Sequence, residues 1–312
     1  MTASVNSAEL WHQSSDGKKI FLRRFLPDAP PRAVLHLAHG LAEHSARYAR
    51  LAEALTGAGF VVYANDHRGH GKTAATKDEL GFFDGGLDRV IADQVELIAF
   101  EKREHPGLPF VLMGHSMGSF FVQRLMQTHG AEFTAVVLSG SAGKPNLLAS
   151  AGRLIARMAR LRRGPRGHSP LIRALAFDAF NDKFSPKTTR FEWLSRDRAE
   201  VDKYANDPLC GFDCSTQLWV ELLDALGELA RPELQKRIPS KLPVYIFSGS
   251  QDPAGDFAKS VKQLVGALRA AGVADVTERI YEAGRHEMLN ETNRAEVTTE
   301  LLAWLNAKVP QK

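Results

Sequence analysis

The sequence FVLMGHSMGSFFVQ (residues 110–123) carries the strongest structural signal of this chain. The apolar run 110–113 predicts a buried strand, GHSMG (114–118) predicts a tight turn, and the residues after it predict a helix. In a G-x-S-x-G sequence between a strand and a helix, the serine lies on a sharp bend that exposes its hydroxyl. The alternative is a glycine turn that only packs tightly. The strand–turn–helix setting favours Ser116 as a nucleophile.

Short apolar runs and amphipathic stretches alternate on both sides of this turn. Six apolar runs predict strands buried on both faces, at 33–37, 60–64, 110–113, 135–138, 244–247 and 276–280. Helices are predicted at 47–56, 90–104, 117–128, 257–271 and 295–307. Near the start, Asp16-Gly17 predicts a hairpin between strands at 8–13 and 18–25. This order predicts an α/β protein with a mostly parallel sheet flanked by helices.

The alternation stops between about residues 143 and 239, where the sequence is helix-like throughout. Strands resume shortly afterwards. We therefore predict that residues 143–238 form a helical cap inserted into one α/β core, and that residues 1–142 and 239–312 form that core. We call residues 143–238 the cap segment.

A nucleophilic serine needs a histidine base, and the histidine needs a carboxylate that holds its tautomer. In this type of fold the partners follow in the order serine, acid, histidine, on loops after later strands. Asp252 follows the strand at 244–247, and His286 follows the strand at 276–280. Asp252 as a helix cap and His286 as a surface histidine are the alternatives. Asp256 competes with Asp252 but lies too near the next helix.

Backbone N–H groups must stabilise the oxyanion of the tetrahedral intermediate. The residue after the serine, Met117, supplies one predicted donor. The turn after the strand at 33–37 reads His39-Gly40-Leu41, and Leu41 supplies the other. A plain glycine turn at the end of a strand is the alternative for His39-Gly40.

Five motifs together resemble the monoacylglycerol lipase and lysophospholipase family. They are HGLAEHSARY (39–48), NDHRGHGKT (65–73), GHSMG (114–118), SGSQDP (248–253) and GRHEMLNE (284–291). The resemblance implies an α/β-hydrolase fold with a helical cap and no cofactor. It also implies a Ser116–His286–Asp252 triad with Leu41 and Met117 as oxyanion donors.

The resemblance places Glu43 and Arg47 beside the alcohol end of the site. The alternative is that these two side chains pair with each other and brace the turn. The chain departs from the family pattern at Leu41-Ala42, where a small residue and a glycine are usual, at Ala46, and at Leu289, where animal enzymes carry a second histidine. These departures leave the triad intact and leave strict monoacylglycerol specificity open.

Two groups of residues invite a metal-site interpretation. Asp66, His67 and His70 lie in a glycine-rich turn that the family uses as a structural loop, and such a turn fixes ligands poorly. Cys210 and Cys214 lack the four ligands of a structural zinc site, and two cysteines are too few for a disulfide framework. We therefore predict two reduced thiols and no metal.

The composition is that of an ordinary globular protein, with 44% hydrophobic and 24% charged residues and a net charge of +4. The N-terminus has no apolar signal-peptide core, and no run approaches the roughly 18 apolar residues that span a bilayer. We expect a cytoplasmic location and no nucleic-acid partner, because no recognition motif accompanies the charge. The sequence does not define the oligomeric state.

The predicted function is hydrolysis of carboxylic esters such as monoacylglycerols, lysophospholipids or simple acyl esters. A peptidase or amidase of the same fold is the main alternative, and it would need acidic cap residues that anchor an amine. Residues 144–177 contain no Asp or Glu. Epoxide hydrolases and dehalogenases of this fold use an aspartate where Ser116 stands. A non-catalytic ligand binder would usually lack a member of the triad.

The positive charge is concentrated in the cap segment. A helix predicted over residues 147–161 carries Arg153, Arg157 and Arg160 in one stripe. The adjoining stripe is apolar and comprises Leu147, Ala151, Leu154, Met158 and Leu161. One hypothesis is that this helix lies on an anionic membrane surface. The alternative is a solvated helix whose apolar stripe packs on the core.

Overall fold

The computed structural model describes residues 6–145 and 147–309, without the side chains of residues 147–150 and 176. Within these residues, eight strands form one sheet in the order β1-β2-β4-β3-β5-β6-β7-β8. The strands are β1 (Asn6–Gln13), β2 (Lys19–Leu26), β3 (Ala33–Ala38), β4 (Phe60–Asn65), β5 (Phe110–His115), β6 (Ala135–Ser139), β7 (Val244–Gly249) and β8 (Val276–Tyr281). Strand β2 pairs antiparallel with β1 and β4, and the later pairs are parallel.

Helices connect the strands and cover both faces of the sheet. They are α1 (Ala49–Gly57), α2 (Leu87–Glu104), α3 (Met117–His129), α4 (Leu147–Arg163), α5 (Pro170–Arg173), α6 (Ala179–Asn181), α7 (Arg198–Asn206), α8 (Thr216–Leu229), α9 (Pro232–Gln235), α10 (Lys259–Ala270) and α11 (Arg294–Lys308). Helices α2, α3 and α10 contribute apolar side chains to the core on one face, and α1 and α11 contribute to the core on the other. The predicted fold class, a mostly parallel sheet flanked by helices, is confirmed.

Two details of the predicted core differ from the structure. The strand at 276–280 was expected to be buried on both faces, but β8 is the sheet edge and Arg279 is exposed, paired with Glu300 of α11. An edge strand has a neighbour on one side, so its charged side chains reach water. The helix predicted at 257–271 begins only at Lys259, because Phe257 and Ala258 have positive φ angles of 54° and 68°.

The segment between β6 and β7 contains α4 to α9, but it is not helical throughout as expected. Residues 182–197 form turns and irregular backbone. This stretch also bonds to the loop after β8: the Glu287 N–H donates to the Leu194 carbonyl at 2.8 Å, and the Arg285 side chain donates to the Ser195 carbonyl at 3.0 Å. The backbone of residues 182–197 thus lies along the loop after β8, which contains His286.

The predicted apolar stripe of helix α4 faces the solvent and does not pack on the core. Leu154, Met158 and Leu161 of the predicted apolar stripe are 61%, 44% and 87% exposed. The alternative in which this stripe packs on the core is therefore wrong. A second apolar face, with Ile155 and Ala156, packs against α8 and its neighbours instead. The stripe member Leu147 has its side chain outside the described residues.

Candidate active site

Ser116 occupies the sharp bend between β5 and α3. Its φ of 50° and ψ of −119° lie in a sparsely populated region for a residue with a side chain. The two glycines of the motif make the bend possible. A Cβ on Gly114 would lie 2.5 Å from the Gly118 carbonyl oxygen, and a Cβ on Gly118 would lie 2.1 Å from the Ala38 carbonyl oxygen. The backbone thus holds Ser116 at the first N–H groups of α3, which have no partner within the helix.

Asp252 and His286 meet at the ends of β7 and β8. The His286 Nδ1–H donates to Oδ2 of Asp252 at 2.9 Å, and both side chains are buried. Asp252 also accepts from the Ser248 hydroxyl at 3.1 Å and from the Ala254 N–H at 2.9 Å. Asp252, and not Asp256, is therefore the carboxylate in contact with the histidine.

Burial and the facing charge act in opposite directions on this pair. Burial raises the pKa of Asp252, but the His286 ring and the two further donors lower it more, so the pKa lies below its ordinary value. Burial lowers the pKa of His286, but Asp252 raises it more, with smaller contributions from Glu287 and Glu43, so the pKa lies above its ordinary value. The pair stabilises a proton on the imidazole, which is what a general base beside a serine requires.

The turn after β3 contains the predicted oxyanion donor Leu41. The Gly40 N–H donates to Oε1 of Glu43 at 2.6 Å, so that amide is already occupied. A Cβ on Gly40 would lie 3.3 Å from the Ser116 Cβ, which places the turn directly beside the serine. Leu41 and Met117 line the same cavity as Ser116 and His286.

Two groups of the cap segment hold the same turn from the other side. Ala42 has a φ of 52°, in the left-handed region that favours glycine. Its carbonyl oxygen accepts from the Tyr204 hydroxyl at 2.8 Å and from the Gly211 N–H at 2.9 Å. These two bonds help to stabilise a conformation that costs an alanine roughly 1–2 kcal/mol.

Glu43 and Arg47 pair with each other, and a third charged residue joins them. Arg47 contacts the Glu43 carboxylate and donates to both carboxylate oxygens of Glu287 at 2.6 Å. The Tyr48 hydroxyl donates to Glu43 Oε1 at 2.7 Å. Sequence reasoning missed Glu287, because its partner lies 240 positions away and nothing local marks the pair. The cluster links the turn after β3 to the loop that carries His286.

His39 of the turn and His67 of the glycine-rich loop hold this turn in place. The His39 Nδ1–H donates to the Gly40 carbonyl at 2.7 Å, and His39 Nε2 accepts from the His67 N–H at 3.0 Å. Burial holds the pKa of both histidines well below its ordinary value, so both are neutral. Asp66 accepts from the Ser45 N–H at 2.8 Å, the Ser45 hydroxyl at 2.6 Å and the Lys72 N–H at 2.7 Å. The carboxylate of Asp66 is thus occupied by donors within the loop.

A cavity of about 610 Å³ opens over Ser116 and His286. Its wall is largely apolar and includes Phe120, Ile155, Phe177, Trp193, Trp219 and Leu223. Most of these residues belong to the cap segment, so the segment forms the roof over the serine. Polar groups border the cavity at a few points, among them Glu43, Glu287 and Lys183. A concave, apolar site with a few convergent polar groups is typical of small-molecule binding.

Residues 29–293 match the protein family described as serine aminopeptidase, S33. The chain belongs to this family. It is 29% identical over 294 residues to the monoacylglycerol lipase of Mycolicibacterium smegmatis, with 93% of each chain covered. It is 28% identical over 305 residues to the monoglyceride lipase of Homo sapiens, with 96% of this chain and 89% of that one covered.

Among solved structures, a thermostable carboxyl esterase from Bacillus coagulans in complex with glycerol superposes with a TM-score of 0.90. It shares 28% identity with this S33-family chain, and the superposition covers 97% of this chain and 99% of the esterase. The predicted family resemblance is thereby confirmed. This S33-family protein is a serine ester hydrolase with the α/β-hydrolase fold.

Proposed function

We propose that this enzyme hydrolyses monoacylglycerols and related acyl esters through an acyl-enzyme intermediate. The observation that carries the proposal is the apolar 610 Å³ cavity over Ser116, which is bordered by His286, the partner of Asp252. A hydroxyl nucleophile and its base lie at one side of a space suited to an acyl chain. The related lipases and the glycerol-bound esterase support the same substrate class.

In this proposal, the Ser116 hydroxyl attacks the ester carbonyl while His286 takes its proton. Asp252 holds the imidazole in the tautomer whose Nε2 accepts that proton and stabilises the imidazolium. The N–H groups of Leu41 and Met117 donate to the oxyanion. The imidazolium then protonates the leaving alcohol, and a water molecule activated by His286 hydrolyses the acyl-enzyme.

Ester cleavage fits the cavity better than removal of an N-terminal amino acid, despite the family's description. An aminopeptidase must hold a substrate ammonium group, for which it needs a carboxylate without another partner. Of the three carboxylates that border the cavity, Glu43 and Glu287 are bonded to Arg47, so only Asp256 is left for that role. The rest of the wall is mostly apolar. We therefore propose ester hydrolysis as the main activity and keep peptidase activity as the alternative.

The acyl chain gives a direct test of the proposal. Each methylene buried against an apolar wall contributes about 0.8 kcal/mol, which is about fourfold in affinity. The kcat/KM for p-nitrophenyl esters should therefore rise steeply from the C2 ester until the cavity is filled, with monoolein and a lysophospholipid assayed alongside. An amino-acid p-nitroanilide should be a poor substrate. Equal rates for C2 and C8 esters, or faster cleavage of the anilide, would contradict the assignment.

We further propose that residues 143–238 act as a cap on the core formed by residues 1–142 and 239–312, and that α4 docks the cap on an anionic membrane. Leu154, Met158 and Leu161 form an exposed apolar stripe on α4. Arg160, Arg162 and Arg163 are exposed at the end of the same helix. An apolar stripe beside arginines suits a helix that lies in the headgroup region of a bilayer. No described helix is both long and apolar enough to cross a bilayer.

The structure changes how this docking should be tested. Arg153 and Arg157 both contact Asp224 of α8, so reversing their charge would also disturb the packing of α4 on α8. Serine at Leu154, Met158 and Leu161 is the sharper change. The triple variant should lose sedimentation with phosphatidylglycerol vesicles and keep normal hydrolysis of a short soluble ester. The control is Trp11→Ser, which removes an exposed apolar side chain from β1.

Salt provides a second measurement on the wild type. Binding should weaken steeply between low salt and 0.5 M salt, because each Arg near an anionic surface contributes about 1 kcal/mol and that attraction is screened. A wild-type enzyme that ignores anionic vesicles at low salt would exclude the docking proposal and leave ester hydrolysis unaffected.

A further inference from the structure

Three side chains with metal-binding atoms meet where the cap segment touches the core. They are His44, which follows the turn after β3, and Asp207 and Cys210, which follow α7. Their candidate ligand atoms all lie within 4.8 Å of one another. His44 Nε2 and Asp207 Oδ2 are 2.9 Å apart. The imidazole and the thiol are buried, and the carboxylate is half-buried.

We propose that His44, Asp207 and Cys210 bind one zinc ion, which fastens the cap segment to the turn that contains Leu41. This site lies outside the Ser116–His286–Asp252 constellation, and the proposal does not depend on the substrate.

The donor set is the first argument for zinc. Imidazole nitrogen, carboxylate oxygen and thiolate sulfur are its three usual protein ligands, at about 2.0–2.3 Å. Ligand atoms at the corners of such a tetrahedron are about 3.3–3.8 Å apart. The His44–Asp207 pair needs to open by a few tenths of an ångström from 2.9 Å, and the sulfur needs to approach by about an ångström or less from the 4.8 Å limit. The partly exposed Asp207 leaves a side from which water supplies the fourth ligand.

The local charge also favours a divalent cation. Glu43 and Glu287 share the guanidinium of Arg47, and Asp207 pairs with the His44 imidazole. Three carboxylates against one guanidinium leave two negative charges uncompensated. A Zn²⁺ ion matches that excess.

Zinc binding must ionise the thiol. An ordinary cysteine thiol is mostly protonated at neutral pH, and the thiolate is the form that binds a metal. In the metal-free protein the His44 Nε2–H donates to Asp207, and on zinc binding that proton leaves Nε2 while Nδ1 takes one up, so that Nε2 can bind the ion. The Cys210 proton goes to solvent, and one proton is released for each ion bound. The affinity therefore rises with pH.

The position of the site defines its effect. His44 is two residues from Ala42, whose carbonyl already accepts from Tyr204 and Gly211 of the cap segment. The metal replaces the single His44–Asp207 hydrogen bond with three bonds, one to His44 in the core and two to Asp207 and Cys210 in the cap segment. Separating the cap segment from the turn then requires loss of the ion.

Cobalt provides a readout that is independent of activity. The full-length, metal-free protein should bind one equivalent of Co²⁺ with a thiolate-to-metal charge-transfer band in the near ultraviolet and tetrahedral bands in the visible. Cys210→Ser should lose the charge-transfer band and bind Zn²⁺ at least about 100-fold more weakly. Cys214→Ser is the matched control, since it changes the other buried thiol of the cap segment. It should keep both properties.

Thermal unfolding gives an independent measurement. At a Zn²⁺ concentration 100-fold above Kd, the wild type and Cys214→Ser should each unfold about 4 °C higher than their own metal-free forms. Cys210→Ser should show no such rise. A wild type without a thiolate band, or a Cys210→Ser variant that binds and is stabilised like the wild type, would overturn the proposal. Because no substrate is used, these outcomes leave the proposed ester hydrolysis untouched.

Discussion

Replacing Glu43 by glutamine distinguishes two roles for this residue. Glu43 either braces the turn beside Ser116 or contacts the glycerol of the substrate. The carboxylate accepts from Gly40 and Tyr48 on one oxygen and faces Arg47 with the other. Glutamine keeps one acceptor oxygen, so at least one bond to the Arg47 guanidinium is lost. A hydrogen bond to a charged group contributes about 1.5–3 kcal/mol. Arg47 retains Glu287, so it does not become a buried, unpaired charge.

We therefore expect Glu43→Gln to lower the free energy of unfolding by about 2 kcal/mol. With an unfolding entropy of about 2.1 cal/mol/K per residue, this corresponds to a fall in Tm of about 3 °C. Removing an oxyanion donor altogether costs about 10²–10³ in kcat, and a turn that only loosens should cost less, on the order of tenfold to 100-fold. Tyr48→Phe is the graded control, because it removes one bond to the same carboxylate and leaves Arg47 paired.

The decisive measurement compares two alcohols. If Glu43 braces the turn, kcat/KM should fall by the same factor for monobutyrin and for p-nitrophenyl butyrate, because the brace acts whatever the leaving group is. If Glu43 instead contacts the glycerol, the loss should be confined to monobutyrin. A normal rate with p-nitrophenyl butyrate and a large loss with monobutyrin would show that the bracing role is wrong.

Four further outcomes concern the chemistry itself. Ser116→Ala should fold normally, lose ester turnover by several orders of magnitude and no longer react with a fluorophosphonate probe; labelling that persists would place the nucleophile elsewhere. Asp252→Asn should lower kcat by about 10⁴-fold and Asp256→Asn by far less, and the reverse order would assign the acid to Asp256. Asp252 raises the pKa of His286, so the wild type needs a higher pH for a neutral base, and the residual Asp252→Asn activity should have its acidic limb at lower pH in a kcat/KM profile. Prolonged dialysis against EDTA should not abolish turnover, because no proposed catalytic step uses a metal; abolition that zinc reverses would contradict this.

Local signals in the sequence were sufficient for the sheet and for the loops that contain the candidate triad. Strands such as β5 and β7 are short, apolar and bounded by turns, so their positions could be predicted to within about two residues. Ser116, Asp252 and His286 each follow a strand, and the parallel topology brings the ends of those strands together. The order serine, aspartate, histidine along the chain then predicted which residue takes which role in the candidate triad.

Contacts between distant segments had no such signal. In the sequence, Arg47 and Glu287 look like ordinary charged surface residues. Only the fold brings them together beside His286. Helix α4 has two apolar faces, so periodicity alone did not say whether Leu154 or Ile155 packs inward. The group formed by His44, Asp207 and Cys210 joins residues 163 positions apart, and no spacing rule predicts it.

The two bonds from Tyr204 and Gly211 to the Ala42 carbonyl have a consequence for protein engineering. Exchanging caps between relatives is an attractive route to new acyl-chain preferences, because the cap segment supplies about half of the residues that line the cavity. A foreign cap without these donors would leave the Ala42 carbonyl unsatisfied and its left-handed backbone unsupported. A chimera should therefore carry residues 39–45 together with the cap from the same parent. The natural unit of exchange in this enzyme is discontinuous in sequence.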